Sequence, residues 1–226
     1  MSDIIREVDE ELRRERIEKL WQRYGGYAVG AAVLIVLAIA GWRGWEWYMA
    51  REAAKSGARF EAALQLVTEG KRFEAEAAFN AIAAEGTSSY RLLARFRAAA
   101  EAAKTDPAAG VAAYDALAAD GSIESILRDL ARLHAGRILV DTAPMAEIAS
   151  RMEPLMAAQA PFRHSAREIL GLARYRAGER ETAQKIFAEI LTDPETPPGM
   201  RSRAETLRAL VSNSGGGSPV SVPATQ

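Results

Sequence analysis

Imidazoles, thiols and paired carboxylates are the side chains that most often do chemistry, and this chain offers few of them. It has two histidines, His134 and His164, and no cysteine. A metal ion needs several converging ligands, and acid–base catalysis needs a titrating group held against a partner. His134 lies in the helical string RDLARLHAGRIL with no second ligand near it, and reads as a hydrogen-bonded structural residue. His164, at a predicted helix start, reads as exposed. The missing thiols exclude disulfides, thiolate metal sites and cysteine nucleophiles. Neither a phosphate-binding GxxxxGK[ST] loop, nor a GxSxG elbow, nor HExxH, nor an EF-hand loop occurs. Ser214–Ser218 is glycine-rich but has no strand before it, so it does not read as a phosphate cradle. The expectation is a protein that is not an enzyme and holds no cofactor or metal.

Cationic side chains are the other candidates. Arg91, Arg95 and Arg97 follow one another in SYRLLARFRAAAEAA. They form either a basic strip for a partner's acidic segment or an ordinary solvated helix face. The net charge of −1 supplies no field for nucleic acid.

The elements that must position these residues are helical. From Gly57 to Val211 the composition is dominated by Ala, Leu, Glu and Arg. Breaks at Glu69-Gly70, Glu85–Ser89, Lys104–Pro107, Asp120–Ser122, Asp141–Pro144, Gln159–Pro161, Gly178 and Asp193–Pro198 predict nine or ten helices joined as hairpins. An aromatic followed three residues later by an aliphatic recurs as Phe79/Ile82, Tyr114/Leu117 and Phe187/Ile190. The first step is 35 residues and the whole span is 108, three steps of 36. Met152 and Leu155 take the missing third place. A period near 35 with two helices per unit predicts a tetratricopeptide-like solenoid over 57–211, against an irregular bundle as the alternative. The last unit fits best, with Leu170-Gly171, Gly178, Ala183, Phe187 and Pro194. Helices beginning at Ser89, Ser125 and His164 would line the concave side. The tail 212–226 is predicted to be disordered.

Ahead of the repeats, Tyr24 to Trp42 runs nineteen residues without a charge. As a helix it spans about 28 Å, close to the hydrocarbon thickness of a bilayer. Trp21, Tyr24 and Tyr27 border it on one side and Trp42, Trp45, Trp47 and Tyr48 on the other, the aromatic belts of a membrane span. The fold expected is therefore all-α: a charged arm (1–23), a transmembrane helix (24–42), a juxtamembrane helix (43–56) and the solenoid. A cleaved signal peptide is the competing reading, with Ala38-Ile39-Ala40 as its site, but the long arm, as rich in acids as in bases, and the tryptophan-rich border favour a retained anchor. Six Lys or Arg in residues 1–23 against four in 43–62 place the N-terminus in the cytoplasm. Gly26 and Gly30 form a GxxxG that permits close approach of a second membrane helix, so a homo-oligomer is one expected state. The arm keeps an apolar stripe through Ile5, Val8, Leu12, Ile17 and Leu20, suited either to a membrane surface or to a partner's loop.

The order of these features, GWRGW at the span exit, AKSGARFEAAL, TSSYRLLARFRAA and LGLARYRAGERETAQKIF, resembles the YfgM family from Arg23 to about Val211. That resemblance implies a bacterial inner-membrane protein with a periplasmic tetratricopeptide-like domain. It further implies association with the SecYEG translocon and with the membrane-anchored chaperone PpiD, and a part in handing over translocated clients. It brings no catalytic residues with it. A non-catalytic scaffold for envelope or cytochrome assembly shares the same architecture and is the alternative.

Overall fold

The computed structural model describes residues 2–213, with side chains from Trp21 onward except at 25, 28 and 32. The side chains of the apolar stripe expected in the arm, and the glycine-rich Ser214–Ser218, lie outside what is described. Among those described there are helices and turns and no strand. The chain divides into two units, Met1–Lys55 and Ser56–Gln226.

The first unit is the helical run that begins α1 (Ser2–Thr68). It contains a segment long and apolar enough to cross a membrane. Val33, Leu34, Ile35, Val36, Leu37 and Ile39 are all more than half exposed, so this unit builds no core of its own.

The second unit is a row of helical hairpins. The end of α1, from Ser56, pairs with α2 (Arg72–Glu85) through Phe60, Ala63, Ala75 and Phe79. Next come α3 (Ser88–Thr105) with α4 (Pro107–Ala119), and α5 (Ser125–Leu139) with α6 (Met145–Met152) and a 3₁₀ turn, Glu153–Leu155. The fourth hairpin is α7 (Arg163–Arg176) with α8 (Arg180–Thr192), and α9 (Pro198–Asn213) closes the row. Each helix from α2 to α9 packs on its neighbours in sequence, and beyond that α5 touches α7 and α7 touches α9. The buried apolar residues form four clusters instead of one shared core. This is stacking of a solenoid and not a closed bundle.

Local chemistry explains the punctuation. Gly70 and Gly178 stand 108 residues apart and both adopt left-handed backbone, φ +76° and +82°. Each ends its helix with the same pair of bonds: Lys71 N–H to Leu66 O with Gly70 N–H to Val67 O, and Glu179 N–H to Arg174 O with Gly178 N–H to Tyr175 O. That is the Schellman arrangement, which glycine adopts without steric cost. The second hairpin turns differently. Asp106 accepts from the N–H groups of Ala108 and Ala109, and Pro107 occupies the first helical position.

The recurrent aromatics are the keystones. Phe79, Tyr114 and Phe187 are buried, as are Ile82, Leu117 and Ile190 three residues on. Ile148, Met152 and Leu155 fill the third place. Two of these positions lie against a glycine. A Cβ at Gly171 would stand 2.7 Å from the Phe187 ring, and one at Gly136 would stand 2.4 Å from Met152 Cε. The alanines and glycines of α5 and α7 are therefore spacing elements as well as helix formers.

One expected boundary shifts. Disorder was expected from Ser212, but α9 runs through Asn213. Ser212 donates to the Arg208 carbonyl and accepts from Gln184 Nε2, so tertiary contact with α8 extends the helix.

Candidate protein-binding groove

The first helices of the second and third hairpins, α3 and α5, leave a groove between them. Ser89, Leu92, Leu93, Phe96 and Ala100 recur at spacings of three and four on α3, which brings them to one face. Leu127, Leu130 and His134 do the same on α5 and face them across a cavity of about 640 Å³. A second cavity of about 660 Å³ shares Ser89, Leu92 and Leu127 with the first and continues it toward the helix starts. Leu93 is 45% exposed.

Tyr114 of α4 rises between the two helices to form the floor. Its ring stacks on His134 at 5.0 Å and an interplanar angle of 15°, and Phe96 lies 6.1 Å from Tyr114 and 6.5 Å from His134. The phenol donates a long bond (3.4 Å) to the Phe96 carbonyl, and burial pushes its pKa up. Arg137 donates to His134 Nδ1 at 2.7 Å, so the imidazole proton sits on Nε2. Burial, then the Arg137 charge, push the His134 pKa down. At neutral pH the floor is thus three uncharged rings, a surface for apolar side chains.

The three arginines of the predicted strip part company. Arg95 pairs with Asp120 at 2.7 Å. Asp120 also accepts from Ser122 Oγ at 2.6 Å and from the Ser122 N–H at 3.1 Å. The Ser122 hydroxyl first, then Arg95, hold its carboxyl at about 2. Arg91 lines the end near the helix starts and Arg97 the aromatic section, both exposed. Neither forms an ion pair with a described residue.

A pH dependence follows from Asp120. A carboxyl depressed on folding contributes stability that is complete above its unfolded pKa, roughly 4, and is lost as pH falls through about 2. Asp120→Asn should lower the denaturation midpoint at pH 7, and the deficit should shrink as pH falls to about 2. Chemical denaturation at the two pH values checks this.

His164 corrects an expectation. It was read as exposed and is buried. The loop after α8 covers it: the Thr196 hydroxyl donates to the Ile190 carbonyl at 2.6 Å and accepts from His164 Nδ1 at 3.2 Å. Its Nε2 points toward Asp193 at 3.8 Å, and Arg163 and Arg167 hold the same carboxylate. The cause is a long-range fold-back that local sequence does not encode. Among the described residues, no group of three or more His, Cys, Asp or Glu is placed to hold a metal.

The other residues singled out by sequence lie in the first unit. Trp21, Tyr24, Tyr27, Trp42, Trp45, Trp47 and Tyr48 are all exposed. Trp45 and Tyr48 meet at 6.3 Å, Arg51 caps Trp47 at 5.3 Å, and Arg23 lies over Tyr24 at 5.9 Å. Gly26 and Gly30 are exposed with open space around each Cα. Sequence reasoning passed over the groove residues Leu92, Leu93, Phe96, Leu127 and Leu130. The signal available was their three-and-four spacing, on α3 on the face away from Ala94 and Ala98 and on α5 at 127, 130 and 134.

Comparison with curated proteins and with solved structures returns no match. The tetratricopeptide repeat-like domain, in contrast, matches residues 18–199, a stretch that takes in the apolar segment and every helical hairpin. The chain belongs to the family of tetratricopeptide repeat-like domain proteins.

Proposed function

We propose that this protein is a membrane-anchored adaptor that binds other proteins on the periplasmic face of a bacterial inner membrane, beside the SecYEG translocon. Its N-terminal helix holds it in the bilayer with the N-terminus in the cytoplasm. Its repeats assist the hand-over of translocated clients, together with a PpiD-like chaperone. The observation that carries the binding role is the open α3–α5 groove, with an uncharged aromatic floor and unpaired arginines on its rim. Such a surface can hold a polypeptide. The anchor is supported by exposed aliphatic side chains flanked by two aromatic groups, an arrangement that water penalises and a bilayer accommodates. The translocon and the chaperone rest on the resemblance to the YfgM family.

Alkaline extraction of native membranes should leave the protein in the pellet. Mild crosslinking of the same membranes should recover translocon subunits and a periplasmic chaperone. Release into the supernatant contradicts the anchor, and recovery of cytoplasmic proteins contradicts the orientation. Recovery of the protein alone moves a self-associating scaffold to the front, with uncovered Gly26 and Gly30 as its contact.

A further inference from the structure

We infer that residues 193–197 form an acid-released latch, in which protonation of the buried His164 frees this loop, and with it α9, from the end of the row. His164 lies at the start of α7 and is 6% exposed. The Thr196 hydroxyl gives its one hydrogen to the Ile190 carbonyl, so toward His164 Nδ1 it acts as acceptor. The neutral ring therefore carries its proton on Nδ1, and Nε2 presents a buried lone pair with no hydrogen-bond partner. A second proton has only that nitrogen to occupy. The loop it would disturb leads straight into α9. The N–H groups of Met200 and Arg201 bond the Pro197 carbonyl, which ties the first turn of α9 to the loop. Further along, Ala204 and Val211 of α9 cover Ala183, Phe187 and Ile190. Freeing the loop thus unseats the closing helix and uncovers this apolar cluster.

The surroundings of Nε2 are rich in positive charge. Arg163 and Arg167 of α7 donate to Asp193 Oδ2 at 3.3 and 3.4 Å, and the same oxygen lies 3.8 Å from Nε2. On protonation of His164, one carboxylate oxygen would face three cations. Glu195 pairs with Arg163, and Glu189 of α8 stands 3.7 Å from Arg167, but both glutamates are exposed and screened by water. From α9, Arg201 adds a fourth guanidinium-side contact, donating to the Asp193 carbonyl at 3.2 Å. Burial first, then the Arg163 charge, hold the His164 pKa below its ordinary value. A histidine of this kind takes up its proton on release. The latch is therefore at full strength above the ordinary value, roughly 6.5, and weakens as pH falls below it. Asp193 stays charged through that range, because the Glu195 N–H first, then Arg163, hold its carboxyl low.

The test is hydrogen exchange of the full-length protein in detergent micelles at about pH 7.5 and about pH 5.5, at times matched for intrinsic exchange rate, with α2 as internal reference. One proton taken up on release shifts the opening equilibrium by about tenfold over this interval. Protection over 193–213 should therefore fall by about tenfold relative to α2. H164N keeps an amide donor for Thr196 and does not titrate, so its protection over 193–213 should be the same at both pH values. H134N, altered at the other histidine, should keep the wild-type response. Protection that stays constant, that rises because the imidazolium tightens on Asp193, or that falls equally in α2 overturns the inference. So does a full response in H164N. Should H164N not fold, NMR titration of the two imidazoles, assigned with H134N, decides the matter. A His164 signal that titrates below roughly 6.5 upholds the latch, and one at or above that value overturns it.

Discussion

Replacing Phe187 by alanine is expected to destabilise the C-terminal hairpin by about 3–5 kcal/mol, the cost of emptying a fully buried aromatic site. Phe187 is completely buried among Ala183, Ile190, Ala204 and Val211. Its ring presses on Gly171, and the neighbouring alanines have no side-chain length with which to fill the space. The location of the loss is as informative as its size. In a row of hairpins each unit is held by its neighbours, so damage at α8 should stay near α7 to α9. Hydrogen exchange should show protection falling over 163–213 and persisting in α2 and α3. A uniform loss along the whole row would mean a single cooperative core.

Gly110→Ala is expected to cost about 2 kcal/mol, although alanine is the better helix former. The intrinsic gain inside a helix is about 1 kcal/mol. Against it, a Cβ at Gly110 would stand 2.4 Å from Ala103 Cβ, 2.6 Å from its Cα and 2.9 Å from its nitrogen. Backbone cannot rotate away as a long side chain can, so α3 and α4 must separate, at the upper end of the roughly 1–3 kcal/mol range for overpacking. Gly199→Ala is the control. Nothing lies within 4 Å of its added methyl, so the same substitution should be neutral or stabilising by up to about 1 kcal/mol. Thermal melts of the two variants should move in opposite directions. Because α4 carries Tyr114, Gly110→Ala should also disturb the groove floor.

Much of the helical architecture was legible before any coordinates. Glycine, proline and aspartate clusters marked the breaks because those residues end helices for local reasons, as at Gly70, Asp106-Pro107 and Gly178. The aromatic repeat was legible because one large side chain per unit must fill the space between small ones, as Phe187 does against Gly171. The groove was only partly legible. Arg91, Arg95 and Arg97 look alike in sequence, yet Arg95 is taken by Asp120, 25 residues away in the chain, and only the fold separates it from the other two. Leu92, Leu93 and Phe96 carry no local mark of a groove, and only the position of α5 shows that they line one. His164 was misread because the loop that buries it arrives from Thr196, 32 residues later.

Site-specific photo-crosslinking of the full-length protein in its native membrane tests the central claim most directly. A photoreactive residue at Leu93 lies in the groove, and one at Glu181 lies exposed on α8 as the reference. The account predicts crosslinks from Leu93 to translocon subunits or to proteins in transit, with few from Glu181. Equal crosslinking from the two positions, or products from Leu93 that contain only this protein, would contradict it.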